Sequence, residues 1–148
     1  IVARPDADLP FYLPVLARVH LSMGDVPTAG NLADDGVRDA TGQGEQLYLV
    51  DALLVQAMTR NAAQLYPEAL AIADRGIGLA HGMPYPLAEA RLLAVAADSL
   101  KSVGGVAAAR QRLEEALAIC RHLGALHEVA QMESALSELH SKEAVAEY

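Results

Sequence analysis

The chain repeats itself with a period of 40 residues, and this repeat limits the fold more than any other feature of the sequence. When the sequence is shifted by 40 positions, small or apolar residues coincide three times over. The matched sets are Leu13, Leu53 and Leu93; Ala17, Ala57 and Ala97; Ala29, Ala69 and Ala109; Gly36, Gly76 and Ala116; Val37, Ile77 and Leu117; and Ala40, Ala80 and Cys120. A self-similar period of this length is typical of arrays in which one supersecondary unit stacks on the next.

Each unit has the pattern of a helical hairpin. Apolar residues that recur at spacings of three and four lie on one stripe of a helix. In the third unit this stripe contains Ala109, Leu113, Ala116, Leu117 and Cys120. Gly104 and Gly105 precede it and interrupt the helix before it. The pattern therefore predicts two helices in each unit.

The breaks in the pattern predict units over residues 9–42, 45–82 and 86–123, with a seventh helix over 126–140. This last helix either caps the array or forms the first half of a fourth unit. In the first unit, Pro14 predicts a helix that is kinked or begins near Leu13, because proline lacks the N–H that a helix interior needs. The 148 residues are expected to form one domain. Because the chain begins with Ile1, this domain is expected to be a fragment of a longer protein.

The units resemble the tetratricopeptide repeat, which has a bulky residue, Leu-Gly and an aromatic on its first helix and Ala-x-x-x-Phe on its second. The first-helix places are filled by Leu13, Leu16, Ala17 and His20; by Leu53, Gln56, Ala57 and Arg60; and by Leu93, Ala96, Ala97 and Leu100. The second-helix places are filled by Ala29 and Ala33, Ala69 and Ala73, and Ala109 and Leu113. The chain departs from the family in three ways. The aromatics are missing, the unit is longer than the family's roughly 34 residues, and Thr41, His81 and Arg121 replace the terminal proline.

The resemblance implies an all-α fold: a right-handed α-solenoid of three hairpins with a C-terminal capping helix. Units of this greater length resemble those in the helical sensor regions of bacterial transcriptional regulators and signalling ATPases. Arginine outnumbers lysine and alanine is abundant, a usage that is common in bacterial genomes of high GC content.

Composition limits the partners. The formal net charge is −8, and such an acidic domain repels nucleic-acid phosphates and anionic membranes. Aromatic residues make up only 4% of the chain and tryptophan is absent, which argues against a surface that stacks bases. We therefore expect no direct contact with nucleic acid and no membrane association. A single cysteine cannot form an internal disulfide, so a cytoplasmic location is expected.

No catalytic motif is present. The sequence has no phosphate-binding glycine loop, no zinc-helix His-Glu-x-x-His and no Gly-x-Ser-x-Gly elbow. The five histidines lack the spacing of a metal site, and Cys120 lies on the apolar stripe. The carboxylate pairs Asp34–Asp35 and Glu114–Glu115 are assigned to solvent-facing positions. We expect no enzyme activity, catalytic residue, metal site or cofactor.

The positions most suited to binding lie on the first helices of the hairpins, which in the family line a concave groove. The period brings together Phe11 with Asp51 and Arg91, Arg18 with Met58 and Asp98, and Leu21 with Asn61 and Lys101. The predicted partner-binding residues are Arg18, Asp51, Met58, Asn61, Arg91, Asp98 and Lys101. Taken singly, each of them is equally consistent with an ordinary solvated helix face. The cations among them favour a carboxylate-bearing or acidic peptide partner.

A second predicted contact lies on the first helix. Phe11, Tyr12 and Val15 form an apolar surface that is expected to dimerise or to dock an upstream repeat. The sequence thus predicts a non-catalytic module that binds a protein or peptide, or senses an effector, within a larger bacterial regulatory protein such as a transcriptional regulator. The alternative is the helical sensor or tail domain of a signalling ATPase or cyclase.

Overall fold

The computed structural model describes the backbone of residues 5–146 and the side chains of residues 12–141. Over this range the chain forms seven α-helices and no strand. The helices are α1 (Pro5–Ser22), α2 (Val26–Gln43), α3 (Gln46–Ala62), α4 (Tyr66–Gly82), α5 (Pro86–Ser102), α6 (Val106–Leu123) and α7 (Leu126–Ala146). The predicted number and type of elements are therefore confirmed for the described residues.

Consecutive helices pack against each other as hairpins that stack along the chain. Helix α3 also contacts both α1 and α5 across the repeats, whereas α2, α4 and α6 contact mainly their neighbours in sequence. The first helices of the three hairpins therefore form a closely spaced inner layer, and the second helices form an outer layer.

Small side chains at the repeated positions let the two layers approach closely. Ala29, Ala69 and Ala109 are completely buried, and Gly36 and Gly76 are buried on the same helices. The repeated leucines and alanines of the inner helices are buried as well. Burial at most of the repeated positions explains why the repeat is visible in the sequence, because a larger side chain would separate the helices.

The turn inside each hairpin repeats with the same period. Gly24, Gln64 and Gly104 all have positive φ, at 84°, 63° and 89°. The residue that follows each of them donates its backbone N–H to a carbonyl five positions back, for example from Leu65 to Arg60 at 2.9 Å. This left-handed closure satisfies carbonyls that the end of a helix leaves unpaired. Gln64 differs from the two glycines because its side chain disfavours this conformation.

Replacing Gln64 by glycine is expected to raise the free energy of unfolding by about 0.5–1 kcal/mol. The left-handed conformation costs a residue with a Cβ about 1–2 kcal/mol, and the greater freedom of glycine in the unfolded chain offsets part of the gain. Urea unfolding of the wild type and Gln64→Gly measures the change. Gly104→Gln is the matched opposite and should lower the stability. A lower urea midpoint for Gln64→Gly would contradict this explanation of the turn.

The structure decides against one of the two alternatives for the first helix. Helix α1 runs from Pro5 through both Pro10 and Pro14, so the predicted start near Leu13 is wrong. Leu13, Pro14 and Ala17 are all buried. Their packing against the neighbouring helices outweighs the hydrogen bonds that the prolines remove.

Helix α7 occupies the place of a fourth first helix. Its face that corresponds to the α6-packing face of α5 is polar. Leu93 and Ala97 of α5 are buried against α6. The residues 40 positions later in α7 are Glu133 and Ser137, and both are exposed. Met132 and Leu139 are buried and join α7 to the preceding hairpin. Helix α7 therefore covers the third hairpin and turns polar residues outward.

Candidate functional site: a groove across the inner helices

Two adjoining cavities lie against the inner helices and together form one groove. The first has a volume of about 440 Å³ and the second of about 450 Å³. They share Arg18, Leu54 and Arg91, which therefore stand where the two cavities meet. Each volume is within the range of pockets that hold small molecules or short peptide segments.

The first cavity is lined by α1, α3, α5, α6 and α7. Its lining residues are Arg18, Leu54, Met58, Arg91, Ala94, Val95, Asp98, Leu113, His127, Glu128, Gln131, Met132 and Ala135. The second cavity lies between α1 and α3 and is completed by the start of α5 and the residue before it. Its lining residues are Pro14, Val15, Arg18, Glu45, Leu47, Tyr48, Asp51, Leu54, Val55, Tyr85 and Arg91. The groove thus combines an apolar floor with a few charged groups, the composition expected of a binding site.

Five of the seven predicted groove residues line these cavities. Arg18 and Arg91 line both, Met58 and Asp98 line the first, and Asp51 lines the second. The structure brings them together because one period of 40 residues moves the chain by one hairpin while keeping the same helix face.

Asn61 and Lys101 line neither cavity. The Asn61 side chain accepts a hydrogen bond from Ser99 Oγ at 3.2 Å and so joins α3 to α5. Lys101 is half-buried, and its positive charge acts on Asp98. These two residues support the groove from beside it.

Arg91 is engaged by the protein itself and is not a free cation of the groove. Its guanidinium donates to Glu128 Oε1 at 2.8 Å, and its side chain is 37% exposed. This hydrogen bond from Arg91 lowers the pKa of Glu128. The ion pair joins α5 to α7 across the first cavity. It also neutralises the positive charge that Arg91 brings to the groove.

Asp51 occupies the other polar centre of the groove. Tyr85 Oη donates a hydrogen bond to Asp51 Oδ1 at 3.1 Å, and Tyr85 lies just before α5. Burial raises the pKa of Asp51, although the hydrogen bond from Tyr85 and the positive charges of Arg91 and Arg18 act in the opposite direction. The carboxylate therefore balances part of the positive charge between α1 and α5.

Asp98 lies toward the other side of the first cavity. Loss of hydration raises the pKa of its carboxyl group, Lys101 lowers it and Glu138 raises it further. With Asp51, Asp98 and Glu128 present beside Arg18 and Arg91, the groove carries carboxylates as well as guanidinium groups.

The predicted contact surface on α1 is partly within the described residues. Tyr12 and Val15 are each 59% exposed, and Val15 also lines the second cavity. The Phe11 side chain lies outside the described side chains. At the positions 40 residues later, Ala52 and Val55 are buried. Helix α3 uses this face to pack on the preceding hairpin, whereas the equivalent face of α1 is exposed to solvent.

Several lining residues were not predicted from the sequence. Leu54 lies three residues after Asp51, and this helical spacing places both on the same face. Gln131 follows Arg91 by 40 residues, so continuing the repeat alignment into α7 identifies its position. No such signal exists for Tyr85, which lies in the connection between α4 and α5.

Two titratable groups outside the groove, Cys120 and Asp34, are held by packing and by hydrogen bonds. Cys120 is fully buried without a disulfide, and burial raises the pKa of its thiol. Asp34 does not sit on a free solvent face as predicted, because it accepts hydrogen bonds from Gln56 and Arg60. Within the described residues, no three or more His, Cys, Asp or Glu side chains are grouped to hold a metal ion. None of the helices described is long and apolar enough to cross a membrane.

Comparison with known proteins identifies the fold. No protein-family model matches the chain, and no curated protein matches its sequence. Among solved structures, the crystal structure of Rap protein complexed with competence and sporulation factor superposes with a TM-score of 0.89 at 15% sequence identity. The match covers 98% of this chain and 41% of the Rap chain, so the chain spans less than half of that protein's length. Together with the stacked helical hairpins, it supports the tetratricopeptide-like repeat fold that the sequence predicts.

Proposed function

We propose that this domain is a non-catalytic module that binds a peptide or an extended protein segment in the groove of the inner helices. The observation that carries the proposal is the pair of adjoining cavities that share Arg18, Leu54 and Arg91. An extended chain can cross both cavities, and the apolar floor and separate charged groups offer contacts to its side chains.

The module is proposed to serve a larger bacterial regulatory protein, a transcriptional regulator, and to act in the cytoplasm. The similar Rap protein forms a complex with competence and sporulation factor, which supports a fold that works by binding. The acidic net charge disfavours nucleic acid as the bound partner. Binding in the groove would act on the larger protein through α7, because the Arg91–Glu128 ion pair links this helix to the groove.

Peptides selected from a random library on the immobilised domain provide the test. We expect Arg18→Ala and Met58→Ala each to weaken the selected peptides by about fivefold or more, because central contacts contribute most of the affinity. Arg75→Ala is the matched control, since Arg75 is an exposed arginine on α4 in the outer layer. Fluorescence anisotropy with labelled peptide measures all four proteins.

Equal binding by the wild type and both groove variants would contradict the proposal and move recognition to another surface. Failure of the library to yield any enriched peptide would also contradict it. Circular dichroism of each variant separates a lost contact from a lost fold. Of the two arginines that line both cavities, Arg18 is the better one to replace, because Arg91→Ala would also break the ion pair with Glu128.

The apolar face of α1 is a second proposed contact, made with a second copy of the chain or with an upstream repeat. The exposure of Tyr12 and Val15, at positions whose counterparts on α3 are buried, supports it. Light scattering over a range of concentrations tests the dimer. A monomer at every concentration would contradict dimerisation through this face.

A further inference from the structure

One row of three residues crosses the groove and presents a different chemical group on each inner helix. Arg18, Met58 and Asp98 are spaced by 40 residues and occupy the same position on α1, α3 and α5. All three line the first cavity. The row therefore presents a guanidinium group, a thioether and a carboxylate in that order across the three inner helices.

The two charged ends of the row are available to a ligand. Neither the Arg18 nor the Asp98 side chain forms a hydrogen bond or salt bridge with another side chain among residues 12–141. The other charged groups beside them are engaged, because Arg91 pairs with Glu128 and Asp51 accepts from Tyr85. Among the described side chains that line this cavity, one guanidinium group and one carboxylate thus lack a direct partner.

The middle of the row is apolar. Met58 is half-buried, and Leu54, Val95 and Met132 line the same cavity. A methionine side chain is flexible and polarisable, so it adapts to apolar groups of different shapes. This floor suits an uncharged side chain between two charged ones.

The distance between the ends suits a short extended segment. Packed helices lie about 8–10 Å apart, so about 16–20 Å separates the axes of α1 and α5. The arginine side chain spans part of this distance. An extended chain advances about 3.3–3.6 Å per residue, and a segment of roughly four residues therefore bridges the remaining gap.

We infer that the Arg18–Met58–Asp98 row is a specificity subsite for a short peptide segment that carries an anionic group, an apolar middle and a cationic group, in that order. The anionic group pairs with Arg18, the apolar side chains cover Met58, and the cationic group pairs with Asp98. This inference rests on the proposed function and gives the groove a ligand that is zwitterionic as well as apolar. It adds a cationic group to the carboxylate-bearing or acidic peptide that the sequence predicts.

Blocked tetrapeptides with two central leucines test the inference. The first carries glutamate at the N-terminal end and lysine at the C-terminal end, and a second has the reverse order. For each order, three further peptides replace the glutamate, the lysine or both by glutamine. Binding is measured by calorimetry or by nuclear magnetic resonance titration with the wild type, Arg18→Gln and Asp98→Asn.

We expect one of the two zwitterionic orders to bind at least about threefold more tightly than any peptide that lacks a charge, a factor in the range of exposed or partly desolvated ion pairs. Replacing the peptide's lysine should have no effect in Asp98→Asn, and replacing its glutamate should have none in Arg18→Gln. The lysine advantage should also disappear as the pH falls through the raised pKa of Asp98, because protonation removes the negative charge.

Equal affinity for charged and uncharged peptides would overturn the inference while leaving the groove as the proposed binding surface. Charge effects that persist unchanged in Arg18→Gln and Asp98→Asn would overturn it too, since the pairing groups would then lie elsewhere. Failure of every tetrapeptide to bind would reject this ligand class. The library selection decides separately whether the groove binds peptides at all.

Discussion

Replacing Leu92 by alanine is expected to lower the free energy of unfolding by about 2–5 kcal/mol, the usual range for a buried leucine. Leu92 on α5 is fully buried in the core that also contains Val50, Ala73 and Ala80. Removing its branched end leaves a cavity between α4 and α5 that the surrounding helices fill only in part. Urea or thermal unfolding measures the loss.

The matched control is Leu126→Ala, because Leu126 is 80% exposed at the start of α7. Its replacement should change the stability by less than about 0.5 kcal/mol. A Leu92→Ala variant as stable as this control would show that the packing between α4 and α5 is described incorrectly.

The contact between Leu92 and Gly76 allows a sharper test of the same packing. A Cβ added to Gly76 would lie 2.8 Å from Leu92 Cδ1 and 2.9 Å from Cδ2. Gly76→Ala in the wild type should therefore lower the stability by about 1 kcal/mol, since overpacking exceeds the gain in helix propensity. In the Leu92→Ala background the same change should raise the stability by about 1 kcal/mol. Equal effects in both backgrounds would contradict the contact.

The second large effect is expected for Ala109→Leu, which should lower the free energy of unfolding by about 1–3 kcal/mol through overpacking. Ala109 on α6 is completely buried and packs in the same core as Leu93, Leu113 and Met132. For a domain of this size we expect the melting temperature to fall by roughly 3–10 °C. Differential scanning calorimetry measures the shift.

Ala108→Leu is the control for Ala109→Leu, because Ala108 is the neighbouring residue on the same helix and is exposed. Both changes add the same atoms and have the same helix propensity, so only burial distinguishes them. An unchanged melting temperature for Ala109→Leu would show that the repeat has been assigned to the wrong helix face.

The sequence predicted the fold well because the packing between hairpins needs small residues at fixed intervals. Ala69 and Ala109 are buried at equivalent places, and a 40-residue shift finds them without knowledge of the structure. The choice between a helix that continues through Pro14 and one that begins near Leu13 could not be made in this way. Local propensity indicates a break there, and only the packing of the surrounding helices opposes it.

The groove was only partly predictable for a related physical reason. The repeat predicts which face of α5 carries Arg91, and Arg91 does line both cavities. The repeat gives no information on which side chain pairs with Arg91. Glu128 lies 37 residues away on α7, and its approach depends on how the last helix is placed against α5. The ion pair of Arg91 could not be predicted for this reason, whereas Arg18 on the first helix has no described partner.

The position of the binding surface can be measured with the four methionines of the chain as probes. Met58 and Met132 line the first cavity. Met23 is 70% exposed in the first hairpin turn, and Met83 lies in the connection between α4 and α5, outside both cavities. Each methyl signal is assigned by a Met→Leu substitution.

The most direct test of the account is a titration of ¹³C-methyl-methionine protein with a library-selected peptide, followed by nuclear magnetic resonance. We predict that the methyl signals of Met58 and Met132 shift in proportion to the bound fraction while those of Met23 and Met83 stay in place. Binding that moves Met23 or Met83 and leaves both Met58 and Met132 unchanged would contradict the groove as the site of recognition.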